Sequence, residues 1–409
     1  MILVAGEVLV DLVVSADGGV DARLGGGPYN TARTLARLGA ATTFFGGLAD
    51  DPFGRLLRDG LDAEGVAIGV PGPSAAPTTL ALVDLDQAGV ASYAFYLAGT
   101  AAADLDYPAL AAAFHAILAE ARVTRGAAAS GDDVGVPGAV PIGPSAGAAA
   151  GQAIAVHVGA LGLVMEPIGS AVERLLLSDV PADAFVMLDP NCRPGAIVDR
   201  TAYLGRIARI AARADVVKAS VEDLAYLYPG SSPAEAAELL LGAGPALVLV
   251  TDGPRPARAF LPGATLTVEV PGVRVVDTIG AGDAFGGGFL AWWTANGLTR
   301  ADLKRPAHVR TAVQACAAVA AATCTRPGAD PPTLADLQAA HAWPPPQRPP
   351  PLAPPVRLPP PPPPGLPPTL TGSHLTPPPA SPPTSPAQRS CRKIIVRQNI
   401  RKMYYNVTQ

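Results

Sequence analysis

Lysine is almost missing from this chain. Four occur in 409 residues: Lys218, Lys304, Lys393 and Lys402. None follows a glycine, which excludes a Gly-Lys-Ser/Thr phosphate loop. Charged residues are also few, at 16%, and the formal net charge is −4. A nucleic-acid binder usually carries a basic face, so no nucleic-acid partner is expected. Cysteine is scarce and scattered. Cys192, Cys316, Cys324 and Cys391 lack metal-ligand spacing and read as reduced thiols of a cytoplasmic protein. No apolar run reaches the ~20 residues of a membrane helix. The alanine-rich stretch near 312–322 is interrupted by Gln314. No targeting segment is visible either, because Met1–Ala5 runs into Gly6-Glu7 before reaching signal length.

What is present is hydrophobic, at 49%, and enough for a large core. Residues 1–341 read as the folded part. Strands are expected at 2–5, 8–14, 43–45, 80–84 and 91–96, with helices over 30–38 and 52–64. From residue 154 strands alternate with helices: 154–158 then 168–177, 185–188 then 203–212, 216–217 then 222–227, and 246–250 with the strands after it before a helix from Ala284. Alternation of this kind predicts a parallel sheet covered by helices. The strand-rich start predicts a small β appendage, with strands within 8–28 and 78–98. Two segments break the pattern. Residues 121–151 are mostly Ala, Gly, Pro and Ser and predict a low-complexity insert. Of the 46 prolines, 22 lie between Pro344 and Pro386, so residues 342–409 are expected to form an unfolded proline-rich tail.

The chemistry concentrates in Asp277-Thr278-Ile279-Gly280-Ala281-Gly282-Asp283. An apolar strand is expected before it, at Val273–Val276, and a buried helix after it. A strand, a small-residue turn and a helix in succession leave backbone N–H groups free at a helix N-terminus, which binds anions. Gly280 and Gly282 let the backbone approach such an anion, since no Cβ stands in the way. Asp283 then lies where a hydroxyl could lose its proton beside a bound phosphate, with the helix field expected to keep it ionised. Helix capping would account for one aspartate, but not for two around this turn. A dinucleotide fingerprint is excluded, because Phe285 stands where its third glycine belongs.

A second turn, Gly25-Gly26-Gly27-Pro28-Tyr29-Asn30, runs into a helix ending Arg37-Leu38-Gly39. Asn30 lies in the first turn, free to bond a ligand hydroxyl, and Asp11 lies near the end of an early strand. An acid and an amide together suit a polyol. Alone, this is also what a capped helix after a loop looks like.

Together the two stretches resemble the PfkB, ribokinase-like carbohydrate kinases, in their order and separation. Phe45-Gly46-Gly47-Leu48-Ala49-Asp50-Asp51, Asp189-Pro190-Asn191-Cys192-Arg193 and Thr325-Arg326-Pro327-Gly328 add to the likeness, which covers about 1–340 outside the insert. It implies an α/β fold: a mostly parallel Rossmann-like sheet flanked by helices, with a small β lid. It implies ATP and Mg²⁺ as cofactors and a sugar substrate, a fructose-like ketose first, with a sugar-acid or nucleoside kinase, or a non-catalytic sugar-binding relative, as alternatives. By position, Asp283 resembles the catalytic base and Gly280, Ala281 and Gly282 the anion hole. Asp11, Gly26, Gly27 and Asn30 resemble sugar contacts, with Gly46, Asp50 and Arg193 near them. Thr251, Asp252 and Gly253 resemble the turn beside the nucleotide. Asp277 and Ile279 resemble a monovalent-cation loop for K⁺. The family's Asn-x-x-Glu, tied to Mg²⁺ through water, reads Ser220-Val221-Glu222-Asp223 here, where a helix N-cap at Ser220 fits equally. Lid strands in this family often pair between subunits, which implies a homodimer.

Overall fold

The computed structural model describes residues 1–15, 18–70, 72–85, 91–130 and 154–345. Cys391 and most of the expected tail lie outside them. The strands are β1 (Ile2–Ala5), β2 (Leu9–Val14), β3 (Val20–Gly25), β4 (Thr42–Phe45), β5 (Ala67–Ile68), β6 (Leu80–Leu85), β7 (Ala91–Tyr96), β8 (Ala155–Gly159), β9 (Phe185–Asp189), β10 (Val216–Ser220), β11 (Leu247–Asp252), β12 (Arg255–Leu261) and β13 (Ala264–Val268). The α-helices are α1 (Gly27–Arg37), α2 (Pro52–Ala63), α3 (Tyr107–Ser130), α4 (Ile168–Ser178), α5 (Arg200–Arg213), α6 (Val221–Leu227), α7 (Pro233–Gly242), α8 (Ala281–Ala295), α9 (Pro306–Cys324) and α10 (Leu334–Ala339).

Nine strands form one sheet in the order β13-β12-β11-β10-β9-β8-β1-β4-β5. From β11 to β5 every pairing is parallel, and the β12–β13 hairpin closes one edge antiparallel. Successive residues of a strand face opposite sides. Accordingly Leu3 and Ala5 join the core under α3 to α7, while Ile2 and Val4 join the core under α1, α8 and α9. Both faces are covered, which is why these strands read as continuous apolar runs rather than alternating ones. A second sheet, β3-β2-β6-β7, is the expected appendage.

The structure departs from the sequence reading in four places. The apolar run at Val273–Val276 is no strand. It pairs only through Val276 N–H to the Cys324 carbonyl, and Val275 and Val276 are each 58% exposed. Helix α3 continues through Ser130, into the segment expected to be an insert, because alanine favours helix over coil. The rest of that segment lies outside the described residues. Folded chain also reaches past 341: the Trp292 indole donates to the Pro344 carbonyl at 3.0 Å. Finally, α7 went unread although its start carries a capping box, Ser232 with Glu235.

Asp51 ties the two sheets' connections together. It caps α2 through Gly54 N–H at 2.8 Å and accepts from Thr78 N–H at 2.8 Å and Thr78 Oγ1 at 2.6 Å, just before β6. Partial burial pushes its carboxyl up, but the Thr78 and Gly54 donors outweigh this and hold it below its ordinary value. Replacing Asp51 with Ala should therefore cost about 1–2 kcal/mol, at the upper end for an N-cap. Urea unfolding would show this as a lower midpoint with an unchanged slope.

Candidate active site

In a parallel sheet the loops at the carboxyl ends of the strands form the crevice where ligands bind. Here the residues after β1, β8 and β9 meet the N-termini of α1 and α8 from the body, and β2, β6 and β7 lean in from the small sheet. Between them is a cavity of about 290 Å³. Nine of the expected site residues line it: Asp11, Gly26, Gly27, Asn30, Arg193, Ile279, Gly280, Gly282 and Asp283. Val83 and Phe95 face it from the small sheet.

The turn before α8 has the required geometry. Gly280 is its N-cap, left-handed at φ 75°, and makes no side-chain capping bond. A Cβ there would also lie 2.6 Å from Ala329 Cβ. The first-turn N–H groups of a helix have no i−4 carbonyl, so those of Gly282 and Asp283 point out of the helix start. The Ala281 N–H differs from expectation: it bends back to the Thr278 carbonyl at 3.3 Å and closes the turn.

Asp283 is buried yet faces the cavity. Asn30 Nδ2 donates to its Oδ2 at 2.9 Å, and Asn191 Nδ2 lies 3.4 Å from its Oδ1. Burial pushes its carboxyl above the ordinary aspartate value, against the Asn30 hydrogen bond and the charges of Lys218 and Arg193. The helix field was expected to dominate, but removal from water is the larger effect here. Asp11 behaves alike. Burial pushes it up to about 6, Arg193 opposing and Asp283 adding to the rise.

Arg193 donates to the Asn191 and Cys192 carbonyls at 3.3 and 3.2 Å, so part of its fork is spent on its own loop. Asp223 is committed as well. One oxygen accepts from Cys192 N–H at 2.6 Å, the other from Ser220 N–H and Oγ at 2.8 and 2.9 Å. Ser220 and Asp223 thus form the capping box of α6 and tether the loop after β9. Thr251, Asp252 and Gly253 sit at the same sheet edge, where Ser220 pairs with Thr251, but they do not line the cavity. Asp252 is held by Arg255. Gly46 and Asp50 do not line it either. A Cβ on Gly46 would overlap the Gly6 carbonyl at 2.3 Å, a packing reason for glycine, and Asp50 is exposed. Asp277 uses Oδ1 for Ile279 N–H at 3.0 Å, and Oδ2 for Gly328 N–H at 2.9 Å and Arg23 Nη1 at 3.2 Å.

Sequence reading missed Glu7. It is 1% exposed and accepts from Gly27 N–H at 3.1 Å and Gly162 N–H at 2.7 Å, pinning two turns at the cavity. Burial pushes it up to about 8, against those donors. A lone acid after a buried strand carries no spacing that would have marked it. Lys218 was missed too, for the same reason.

A model of the pfkB family carbohydrate kinases matches residues 1–125 and 148–336. The chain belongs to that family. It is 36% identical to a fructokinase of Rhizobium leguminosarum bv. trifolii over 299 residues, covering 71% of this chain and 79% of the relative. A fructokinase of Klebsiella pneumoniae is 32% identical over 303 residues, covering 73% of this chain and 85% of the relative. Among solved structures, a Xylella fastidiosa fructokinase with bound ATP superposes with TM-score 0.67 at 27% identity, covering 83% of this chain and 97% of that one. A Vibrio cholerae O395 fructokinase in a fructose, ADP and calcium ion bound form gives TM-score 0.65 at 25% identity, with the same coverage. The fold is ribokinase-like and the small sheet is its lid. The protein is a sugar phosphotransferase.

Gly280 provides a direct check of the turn. Gly280→Ala should cost about 1–2 kcal/mol from its left-handed backbone alone, plus the overlap with Ala329. Thermal unfolding should fall and turnover should fall with it. An alanine variant with unchanged stability would mean the turn is not held as described.

Proposed function

We propose that this chain is a fructokinase, transferring the γ-phosphoryl group of Mg·ATP to a hydroxyl of fructose or a close ketose. The observation that carries this is Asp283 bonded to Asn30 in one cavity, with the glycine turn at 280–282 beside both. Asp283 takes the proton of the attacking hydroxyl, while Asn30 and Asp11 hold neighbouring hydroxyls. The N–H groups of the α8 first turn face the charge on the transferring group. In a water-poor site each such donor is worth roughly 2.7–4 kcal/mol. Val83 and Phe95 cover the sugar from the lid and exclude water.

A neutral polyol suits the cavity better than a sugar acid. Glu7, Asp11 and Asp283 line it against one arginine, and that arginine already serves two backbone carbonyls. A substrate carboxylate would meet the Asp11 and Asp283 carboxylates there. This supports the ketose over the sugar-acid alternative.

Mg²⁺ enters with the nucleotide phosphates, as it commonly does. Among the described residues no group of three or more His, Cys, Asp or Glu could hold a metal, and Asp223 has both oxygens committed. Exposed Glu222 is the remaining acid of that stretch. A K⁺ ion at Asp277 and Ile279 would compete with Arg23 for the same carboxylate. Thr251 to Gly253 would border the nucleotide. A homodimer through the lid is supported by the exposed Val20 and Tyr96, 62% and 58%, on its two outer strands.

A panel of fructose, other hexoses, 2-keto-3-deoxy sugar acids and nucleosides with Mg·ATP, read as ADP release, tests the reading. Fructose should be preferred; preference for a sugar acid would overturn the substrate assignment. Asp283→Asn should leave fructose and ATP affinities nearly intact and lower kcat about 10²–10⁴-fold. The pH profile has a defined sign. The base works only when ionised, and burial raises its pKa, so kcat/KM should fall with acid at a pH above the ordinary aspartate range.

A further inference from the structure

Beneath the glycine turn, on the side away from the cavity, lies the one buried lysine among the described residues. Lys218 sits on β10, the strand leading to α6, and is 3% exposed. Its Nζ donates to Asp189 Oδ2 at 2.9 Å, an aspartate that is itself 3% exposed. The same ammonium lies 2.9 Å from where a Cβ on Gly282 would stand, so it presses on the floor of the turn. Lys218 does not line the cavity. Burying a charge this completely costs several kcal/mol unless paired, and a hydrophobic side chain would fill the strand position without that cost.

We propose that Lys218 is a positioning residue for phosphoryl transfer: its ammonium, wedged between Asp189 and the Gly282 backbone, holds Asp283 as a carboxylate and props the turn. This rests on the kinase reading above. The charges facing Asp283 come from every surrounding element. Lys218 reaches it from β10 and Arg193 from the loop after β9, both favouring the carboxylate. Glu7 after β1, Asp11 on β2 and Asp189 on β9 each feel the Asp283 charge as an opposing one. Asn30 of α1 and Asn191 bond it without charge. Around Lys218 itself stand Asp189, Asp223, Asp283 and His157. His157 is buried with no partner on either ring nitrogen, and burial together with the lysine charge pushes it down to about 3. It therefore stays neutral and leaves the lysine as the cation on this side. Arg193 is no substitute, being half-exposed and engaged with its own loop.

The sign follows from charge. Removing the cation disfavours the Asp283 carboxylate, so Lys218→Met should raise the Asp283 midpoint by about one pH unit or more. Lys218→Gln removes the same charge while keeping a hydrogen-bond donor for Asp189, so it should also move the Asp283 midpoint up. The measurement is ¹³C carboxyl NMR titration of the resting protein, with the Asp283 signal assigned by its loss in Asp283→Asn. It is paired with the acid limb of kcat/KM for fructose. A lysine that only packs would lower stability in Lys218→Met and leave both readouts in place, which overturns the proposal. Should Lys218→Met fail to fold, Lys218→Gln decides alone: an unmoved or lowered midpoint overturns it. If no sugar is phosphorylated while the NMR midpoint rises in the Lys218 variants, the kinase reading fails and the electrostatic role of Lys218 stands.

Discussion

Everything at this site depends on how closely two helices can approach α8. Gly286, Gly287 and Gly288 sit in its interior, where each glycine costs about 1 kcal/mol relative to alanine. What offsets that cost is contact. A Cβ on Gly287 would lie 2.9 Å from Thr34 Cβ and Cγ2 on α1. One on Gly288 would lie 3.1 Å from Val319 Cγ2 on α9. With no side chains between them, α1 and α8 come near enough for Asn30 to reach Asp283 across 253 positions of sequence. The two glycine turns are thus registered by backbone packing one turn away from the Asn30–Asp283 contact.

Much of this was legible in the sequence. The two glycine turns announced themselves, because anion binding and close backbone approach need small residues at fixed offsets before a helix. The parallel order followed from alternating elements. What could not be read locally were single residues whose meaning comes from sheet order. Glu7 and Lys218 look like stray charges at strand ends. Only when β8, β9 and β10 lie side by side does Lys218 come under Gly282, and only when β1 and β8 pair does Glu7 reach Gly162. Val273–Val276 misled for the opposite reason. Apolar content alone marks a strand only where a neighbouring strand exists to receive it. Asp50 and Asp51 show the same limit, since adjacent identical residues went one to solvent and the other to a cap and a lid anchor.

The charge balance of the cavity explains why its acids differ so much from ordinary carboxylates. Glu7, Asp189 and Asp283 are buried and Asp11 is partly so, in or beside the cavity, and removal from water raises all four. Lys218 opposes this for Asp189 and Asp283, and Arg193 for Asp11 and Asp283. Backbone donors do the rest for Glu7. In the proposed reaction Asp283 would then be a base of raised affinity for protons, which a general base near neutral pH requires.

The ion pair between Arg23 and Asp277 has a mechanical meaning. Arg23 stands directly across from Asp11 in the β2–β3 ladder, so both side chains share one face of the lid. Asp277 in turn grips the N–H groups of Ile279 and Gly328, which frame the start of the glycine turn. A tug on β2 and β3 therefore passes through one guanidinium to the turn before α8. The lid ribbon and the glycine turn before α8 are thus tethered through this guanidinium.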